Sequence, residues 1–380
     1  MSQTPAVHDP VDDPFALPRN SAQVEHILAT VTDKNAQIDA VCEARGWKEV
    51  NIELCNTLDA YLDGNVSADE TLELLAAPIE DSYTSADHGY LLWETEFTAR
   101  CMRPFLTTER NLKLWGEPVA MCEPDPARKP QRRLETQLRE LHFAIIHVSR
   151  KQDWAAGDGR MEALVKLVQT LKTRPNPLPP DNATHFSQKY WVCSNGALWS
   201  ELCMLDQSAA ESYRDAPGIN GTMDFTDADS RAWENENALF AHLTATGTGE
   251  FMHFGVQAMR AALEGGIARE HEVHVRMTKK FKDKWIDVTL RVIVVWLEIA
   301  GEGMYVRIRF REETEEESGE FVASGMPLER EDEPTAARWR YWKRELGALA
   351  RDDARSEASR TDAIRALDRM CYVEALYASW

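Results

Sequence analysis

The sequence predicts an all-α protein, and three observations carry the prediction. Apolar residues recur at helical spacing: Leu134, Leu138, Leu141, Ile145 and Val148 form one stripe, and Met161, Leu164, Leu167, Val168 and Leu171 the next. Capping and breaking residues fall where such stripes begin and end. Only the region from Trp285 to Phe310 is rich in β-branched or alternating residues. The expected architecture is a single large multi-helix domain of roughly ten to fourteen helices, with room for a minor β hairpin near 271–310.

Residues 1–19 are rich in Pro and Asp and are expected to form a disordered tail. Val24, Ile27, Leu28 and Val31, then Ile38, Val41 and Cys42, carry a helical pattern that Gly46 stops. A second helix carries Val50, Leu54, Leu58 and Leu62 and ends at Gly64. Ser67 to Glu70 form a capping box, with Ser67 as N-cap, and the apolar run Leu72, Leu74, Leu75 then reaches Pro78. A helix over 87–103 carries Leu91, Leu92, Trp93, Phe97 and Cys101 and closes at Pro104. Four prolines within 116–130 mark a connection.

The run from Pro175 to Pro180 is a hard break. It is expected to separate an N-terminal helical half, 20–175, from a tryptophan-rich C-terminal half, 181–380. In the second half, helices are expected to start near Trp191, near Trp199 and at Asp229 or Ser230, and another runs from Phe251 to Leu263. Trp285, Val288, Val292, Trp296 and Ile299 fit a helix face, whereas the β-branched run within 288–295 and the alternation from Met304 to Phe310 fit strands. The acidic residues 311–333 read as an exposed loop. In the following helix Trp339, Trp342, Leu346 and Leu349 share a stripe, with Arg340, Lys343 and Arg344 outside it, free to pair with the acidic loop. Asp332, Glu333 and Pro334 suit its start. No fixed-period repeat is present.

The chain of 380 residues carries 63 acidic and 43 basic side chains, a formal charge of −20. Such a surface repels polyanions, so nucleic acid is a disfavoured partner. The basic stretches Arg128–Arg133, Arg276–Lys284 and Arg338–Arg344 would have to meet in space to counter this. The N-terminus has neither the basic start nor the apolar run of a secretory signal, and the longest apolar run, Val292 to Trp296, is too short to span a bilayer. Seven scattered cysteines, none in a CxxC pair, read as free thiols. A cytoplasmic or nuclear protein, neither secreted nor bound to a membrane, is the expectation.

Five motifs recur to the eye as a set: residues 61–70, the segment around Trp199, the segment from Trp233, the segment around Trp296 and that around Trp339. Their order and spacing resemble a large family of fungal proteins catalogued only as a domain of unknown function. The resemblance spans about residues 45–375. In the third motif the family pattern is Trp-x-Asn-x-Asn-Ala-Phe-x-Ala. Here Trp233, Asn235, Asn237, Ala238 and Ala241 match, and Leu239 replaces the aromatic. The resemblance implies a predominantly helical, intracellular protein of fungal origin and supplies no activity, cofactor or partner.

No metal or cofactor is called for. His271 and His274 lack the spacing of HExxH, and His142 and His147 lie five apart, on different helix faces. There is no nucleophile elbow, and the glycines in 246–251 fit neither a P-loop nor a dinucleotide fingerprint. Asn235 and Asn237 are the most informative polar residues, because an amide near a core face must find a partner. They either fix helix packing or face a pocket between helices, and Trp199, Trp233 and Trp296 carry the same alternative. Two functions follow. One is a non-enzymatic interaction or scaffold module with an unknown protein partner. The other is a cofactor-free enzyme or small-molecule binder with a pocket lined by Trp199, Trp233, Asn235, Asn237 and Trp296, by analogy in secondary metabolism.

Overall fold

Several helices begin where a side chain can stand in for the missing backbone acceptor. The computed structural model describes residues 21–47, 51–85, 134–178, 197–217, 225–264, 279–318 and 335–378. The tail 1–19, the helix expected over 87–103, the prolines of 116–130 and the helix near Trp191 lie outside them. Within them are twelve α-helices and no strand. They are α1 Ser21–Thr30, α2 Lys34–Arg45, α3 Ile52–Leu62, α4 Ala68–Ser85, α5 Leu134–Lys151, α6 Arg160–Thr173, α7 Leu205–Ser212, α8 Asp227–Ala245, α9 Met252–Leu263, α10 Lys279–Ser318, α11 Ala336–Ala350 and α12 Glu357–Tyr377.

The caps explain most of these boundaries. Asp33 Oδ1 accepts from the amide of Ala36 and splits the first apolar pattern into α1 and α2. Gly46, at φ 64°, closes α2 by donating its amide to the carbonyls of Cys42 and Glu43. Asn51 caps α3, and Ser67 Oγ accepts from Glu70 at 3.2 Å to cap α4. Thr226 and Asp229 form a reciprocal capping box at α8. Thr335 caps α11, its side chain accepting from the amide of Arg338, and residues 332–334 lie outside the described residues. Pro78 does not end α4, which runs on to Ser85. The carbonyl that the proline leaves unpaired, one turn back, belongs to Leu74, which is exposed to water, while Ile79 and Tyr83 beyond it are buried.

The chain divides into two compact units. Unit 1 comprises residues 1–49, 146–165 and 210–380, and unit 2 residues 50–145 and 166–209; each draws on chain from both sides of 175–180. In unit 1, α10 is the central element and packs against α8, α9, α11 and α12. Val292 to Leu297 are all buried, so α10 is apolar all round at its middle. That corrects the hairpin expected near 271–310: everything from 279 onward in it is one helix. A helix buried on every side and a doubly buried strand both read as an unbroken β-branched run, and periodicity cannot separate them. The alternation at 304–310 was coincidental: Met304 and Ile308, one turn apart, are buried, and Val306 is exposed. The same helix continues through 311–318, where a loop was expected.

A smaller cluster joins α1 and α2 to α8 through Val24, Ile38, Val41, Ala44, Ala228 and Ala232. Beside it a buried two-pronged ion pair links Arg45 Nε and Nη2 to the two carboxylate oxygens of Asp229, at 3.2 and 3.0 Å. Breaking one side of such a pair costs ~3–5 kcal/mol, because the other charge is left buried.

The stretch Arg338–Arg344 divides as its periodicity predicts. Trp339 and Trp342 are buried, and their indole N–H groups donate to Glu374 at 2.9 Å and Glu264 at 2.8 Å. The same carboxylates take the neighbouring cations: Lys343 pairs with Glu374, and Arg338 lies 3.4 Å from Glu264.

In unit 2, Trp199 is fully buried and donates its indole N–H to Glu80 at 2.8 Å. Arg174 clamps that carboxylate together with Glu73. The side chains of Glu73 and Glu80 are both held below the ordinary carboxylate range by their hydrogen bonds to Arg174. Trp199 sits in a turn, not at a helix start; Leu202 and Met204 adopt φ of 45° and 70°, and α7 begins only at Leu205. Cys42, Cys55 and Cys371 are free thiols as expected, but Cys203 is disulfide-bonded to a partner outside the described residues. No helix among the described residues is long and apolar enough to cross a membrane.

Candidate polar cleft of unit 1

Unit 1 contains a cleft of about 350 Å³ whose walls are the polar faces of helices that bury their other faces. That volume lies at the lower end of the range for small-ligand sites. α2 contributes Lys34, Asn35 and Ile38 from its first turns. α5 contributes Arg150 and Lys151 from its last turn, and the turn after it adds Asp153, Trp154 and Ala155. Arg231, Glu234 and Asn235 of α8 are spaced i, i+3, i+4, so all three point the same way. Arg291 and Val294 of α10, and Asp362 and Arg365 of α12, repeat the i, i+3 spacing.

The floor is a buried polar network. The Arg150 side chain, 5% exposed, donates Nε to Glu236 at 2.8 Å and Nη2 to Ser212 at 2.8 Å, and stands 4.5 Å over the ring of Trp47. Burial pushes the Glu236 carboxyl up, and Arg150 pulls it back. Asn235 binds the end of α5 to the turn that follows: Nδ2 donates to the Arg150 carbonyl at 3.0 Å, and Oδ1 accepts from the Trp154 amide at 3.3 Å. A last-turn carbonyl that the helix cannot satisfy thus finds an amide.

The walls carry charge of both signs. Arg291 pairs with Glu234, Lys151 lies 3.4 Å from Asp39, and Arg365 pairs with Glu298 and stacks over Trp154. His147 Nε2 also meets Asp39, at 2.7 Å. Lys34 and Arg231 have no carboxylate partner among the described residues, and Arg231 donates only to Gln37 at 3.3 Å. On the other side, burial raises the carboxyls of both Glu234 and Asp362 against the opposing pull of Arg291. Glu234 also feels the charges of Asp362 and Asp153. Two perturbed carboxyls around one arginine in a concave site mark a functional candidate.

The five residues singled out from the sequence fall in four places. Asn235 lies in the cleft wall. Asn237 and Trp296 meet each other in the core, with Trp296 Nε1 donating to Asn237 Oδ1 at 2.9 Å. Trp233 is buried against Tyr213, whose ring stacks in turn on Phe254. Trp199 belongs to unit 2, as does His142, whereas His147 belongs to unit 1. His271 and His274, residues 276–278 of the stretch Arg276–Lys284, and Arg128–Arg133 lie outside the described residues. Among those described, no group of His, Cys, Asp and Glu could hold a metal. Sequence reasoning missed Arg231, Glu234, Arg291, Asp362 and Arg365. Their signal was present in part, as the charged pairs Arg231–Glu234 and Asp362–Arg365 at i, i+3.

Fold and cleft together define an all-α protein with a polar, ligand-sized recess in one of two units. The family described as protein of unknown function, DUF3632, matches residues 143–346, and the chain belongs to it. No curated protein and no solved structure matches the chain.

Proposed function

We propose that unit 1 is a binding module for a small polar molecule, held in the cleft between α2, α5, α8, α10 and α12. The observation that carries this is the cleft itself: a recess of about 350 Å³ bearing Lys34 and Arg231, which have no carboxylate partner among the described residues, over a floor tied together by hydrogen bonds of Asn235, Arg150 and Glu236. A floor held by Asn235 and the Arg150–Glu236 pair keeps the wall residues in place before a ligand arrives, which lowers the cost of binding. The reading commits to binding and leaves chemistry on the ligand unassigned.

A thermal-shift screen of small polar metabolites tests it. Ala155, exposed at the cleft, can be replaced by tryptophan to fill the recess without touching the core. Ligands that raise the melting temperature of the parent should lose that effect in Ala155→Trp. If no compound shifts the parent, or if shifts survive in Ala155→Trp, the cleft is not the binding site.

A module that docks another protein is the second reading, favoured by exposed Ile364, Tyr372 and Leu376 on α12. Replacing all three by serine would abolish capture of that partner while sparing small-ligand binding; loss of both, or of neither, would contradict it.

A further inference from the structure

Resting on the binding reading above, we infer that the cleft takes a zwitterion, a molecule carrying an acidic group and an amine a few ångströms apart. Counting wall charges suggests an anion site, since cations outnumber acids. The pairings reverse that impression. Arg150, Lys151, Arg291 and Arg365 are each committed to a carboxylate of unit 1: Glu236, Asp39, Glu234 and Glu298. Among the described residues, positive charge without a carboxylate partner remains on Lys34 and Arg231, which cluster at α2, where Arg231 reaches Gln37. Negative charge gathers on α12. Asp362 has no hydrogen-bonded cation among the described residues: Arg291 and Arg365, which pair with Glu234 and Glu298, attract it at longer range, and the Glu234 carboxylate repels it.

The two poles are displaced along α8, because Arg231 precedes Glu234 by three residues, a rise of ~4.5 Å. A pure anion would meet repulsion at the Asp362 end and a pure cation at the Lys34 end. A dipolar ligand satisfies both, its acidic group on Lys34 and Arg231 and its amine on Asp362. Among the described residues of the cleft, Trp154, under the Arg365 guanidinium, offers the one aromatic surface for the stem between them. Discrimination of this kind comes from the repulsive pole as much as from the attractive one.

Calorimetric titration of the full chain with three probes decides it: glycylglycine, whose charges are separated by one peptide unit, succinate, and putrescine. Glycylglycine should bind at least ~10-fold more tightly than either of the others. Arg231→Gln should weaken glycylglycine ~10-fold or more and leave putrescine no weaker. Asp362→Asn should weaken glycylglycine similarly while strengthening succinate, a reversal that loss of structure cannot produce. Arg344→Gln, an exposed change on α11, should alter nothing. If succinate or putrescine matches glycylglycine and is lost in Ala155→Trp, the inference falls and the binding reading stands. If none of the three binds the parent, the inference falls, and the binding reading falls with it only when the wider thermal-shift screen also finds no ligand.

Discussion

Replacing Asn237 by leucine separates the two roles open to a buried asparagine. The side chain is fully buried in α8; its Oδ1 accepts from Trp296 Nε1 of α10 at 2.9 Å, and its Nδ2 donates to the Trp233 carbonyl at 2.9 Å. The second bond is nearly expendable, since that carbonyl already has its helical partner. The first is not. Leucine fills a similar volume, so little cavity opens, but the indole N–H is stranded in a dry interface. Leaving such a donor unsatisfied costs ~1–3 kcal/mol, so Asn237→Leu should destabilise unit 1 by about 2 kcal/mol. A cycle with Trp296→Phe should return a coupling of ~1–2 kcal/mol, because the double variant no longer buries an orphan. The assay is denaturant unfolding followed by far-UV circular dichroism, with hydrogen exchange of α8 and α10 peptides placing the loss. A change within ~0.5 kcal/mol and no coupling would refute the assignment of Asn237 to helix packing.

A Cβ added at Gly255 of α9 would lie 2.6 Å from Trp296, so Gly255→Ala should cost ~1–3 kcal/mol by forcing α9 away from α10. Gly303→Ala, in the same kind of helix but with open space around it, should instead stabilise by up to ~1 kcal/mol; equal effects in urea melts would contradict the close approach. His142 is fully buried with neither ring nitrogen hydrogen-bonded, and burial, opposed by the nearby Met204 backbone, drives its pKa from 6.5 to about 3. Between those values the unfolded chain takes up a proton that the native state refuses, so stability should fall by up to ~1.4 kcal/mol per unit as pH drops from 6.5 towards 3. His142→Leu should remove that component of the slope, and an unchanged slope would show that the imidazole titrates normally. Trp339→Ala should cost ~3–5 kcal/mol and exposed Arg340→Ala less than ~0.5 kcal/mol; matching thermal melts would overturn the buried-anchor role of Trp339.

Local structure was legible wherever it is decided within a turn or two. Gly46, Ser67 and the stripe holding Trp339 and Trp342 were read from spacing and cap chemistry alone. Misreadings arose where tertiary context decides. The middle of α10 stays open between helix and strand in the sequence because five helices share one apolar neighbourhood there, and Pro78 reads as a stop because nothing local says that Leu74 faces water. The site was hardest to read. Asn235 stood out because it follows Trp233 in a motif, but its partners, Arg150 and Trp154, lie some eighty residues earlier. Arg231, Glu234, Arg291 and Asp362 read as ordinary solvated charges; only the packing of α8, α10 and α12 around a recess makes them a wall.

The central claim is that this wall encloses a ligand site. Crystals of the full chain soaked in glycylglycine test it most directly. The account predicts electron density for the dipeptide in the cleft, its carboxylate against Lys34 and Arg231 and its ammonium against Asp362, and none in crystals of Ala155→Trp. A cleft that stays empty in well-ordered parent crystals, or density confined to other surfaces, would contradict it.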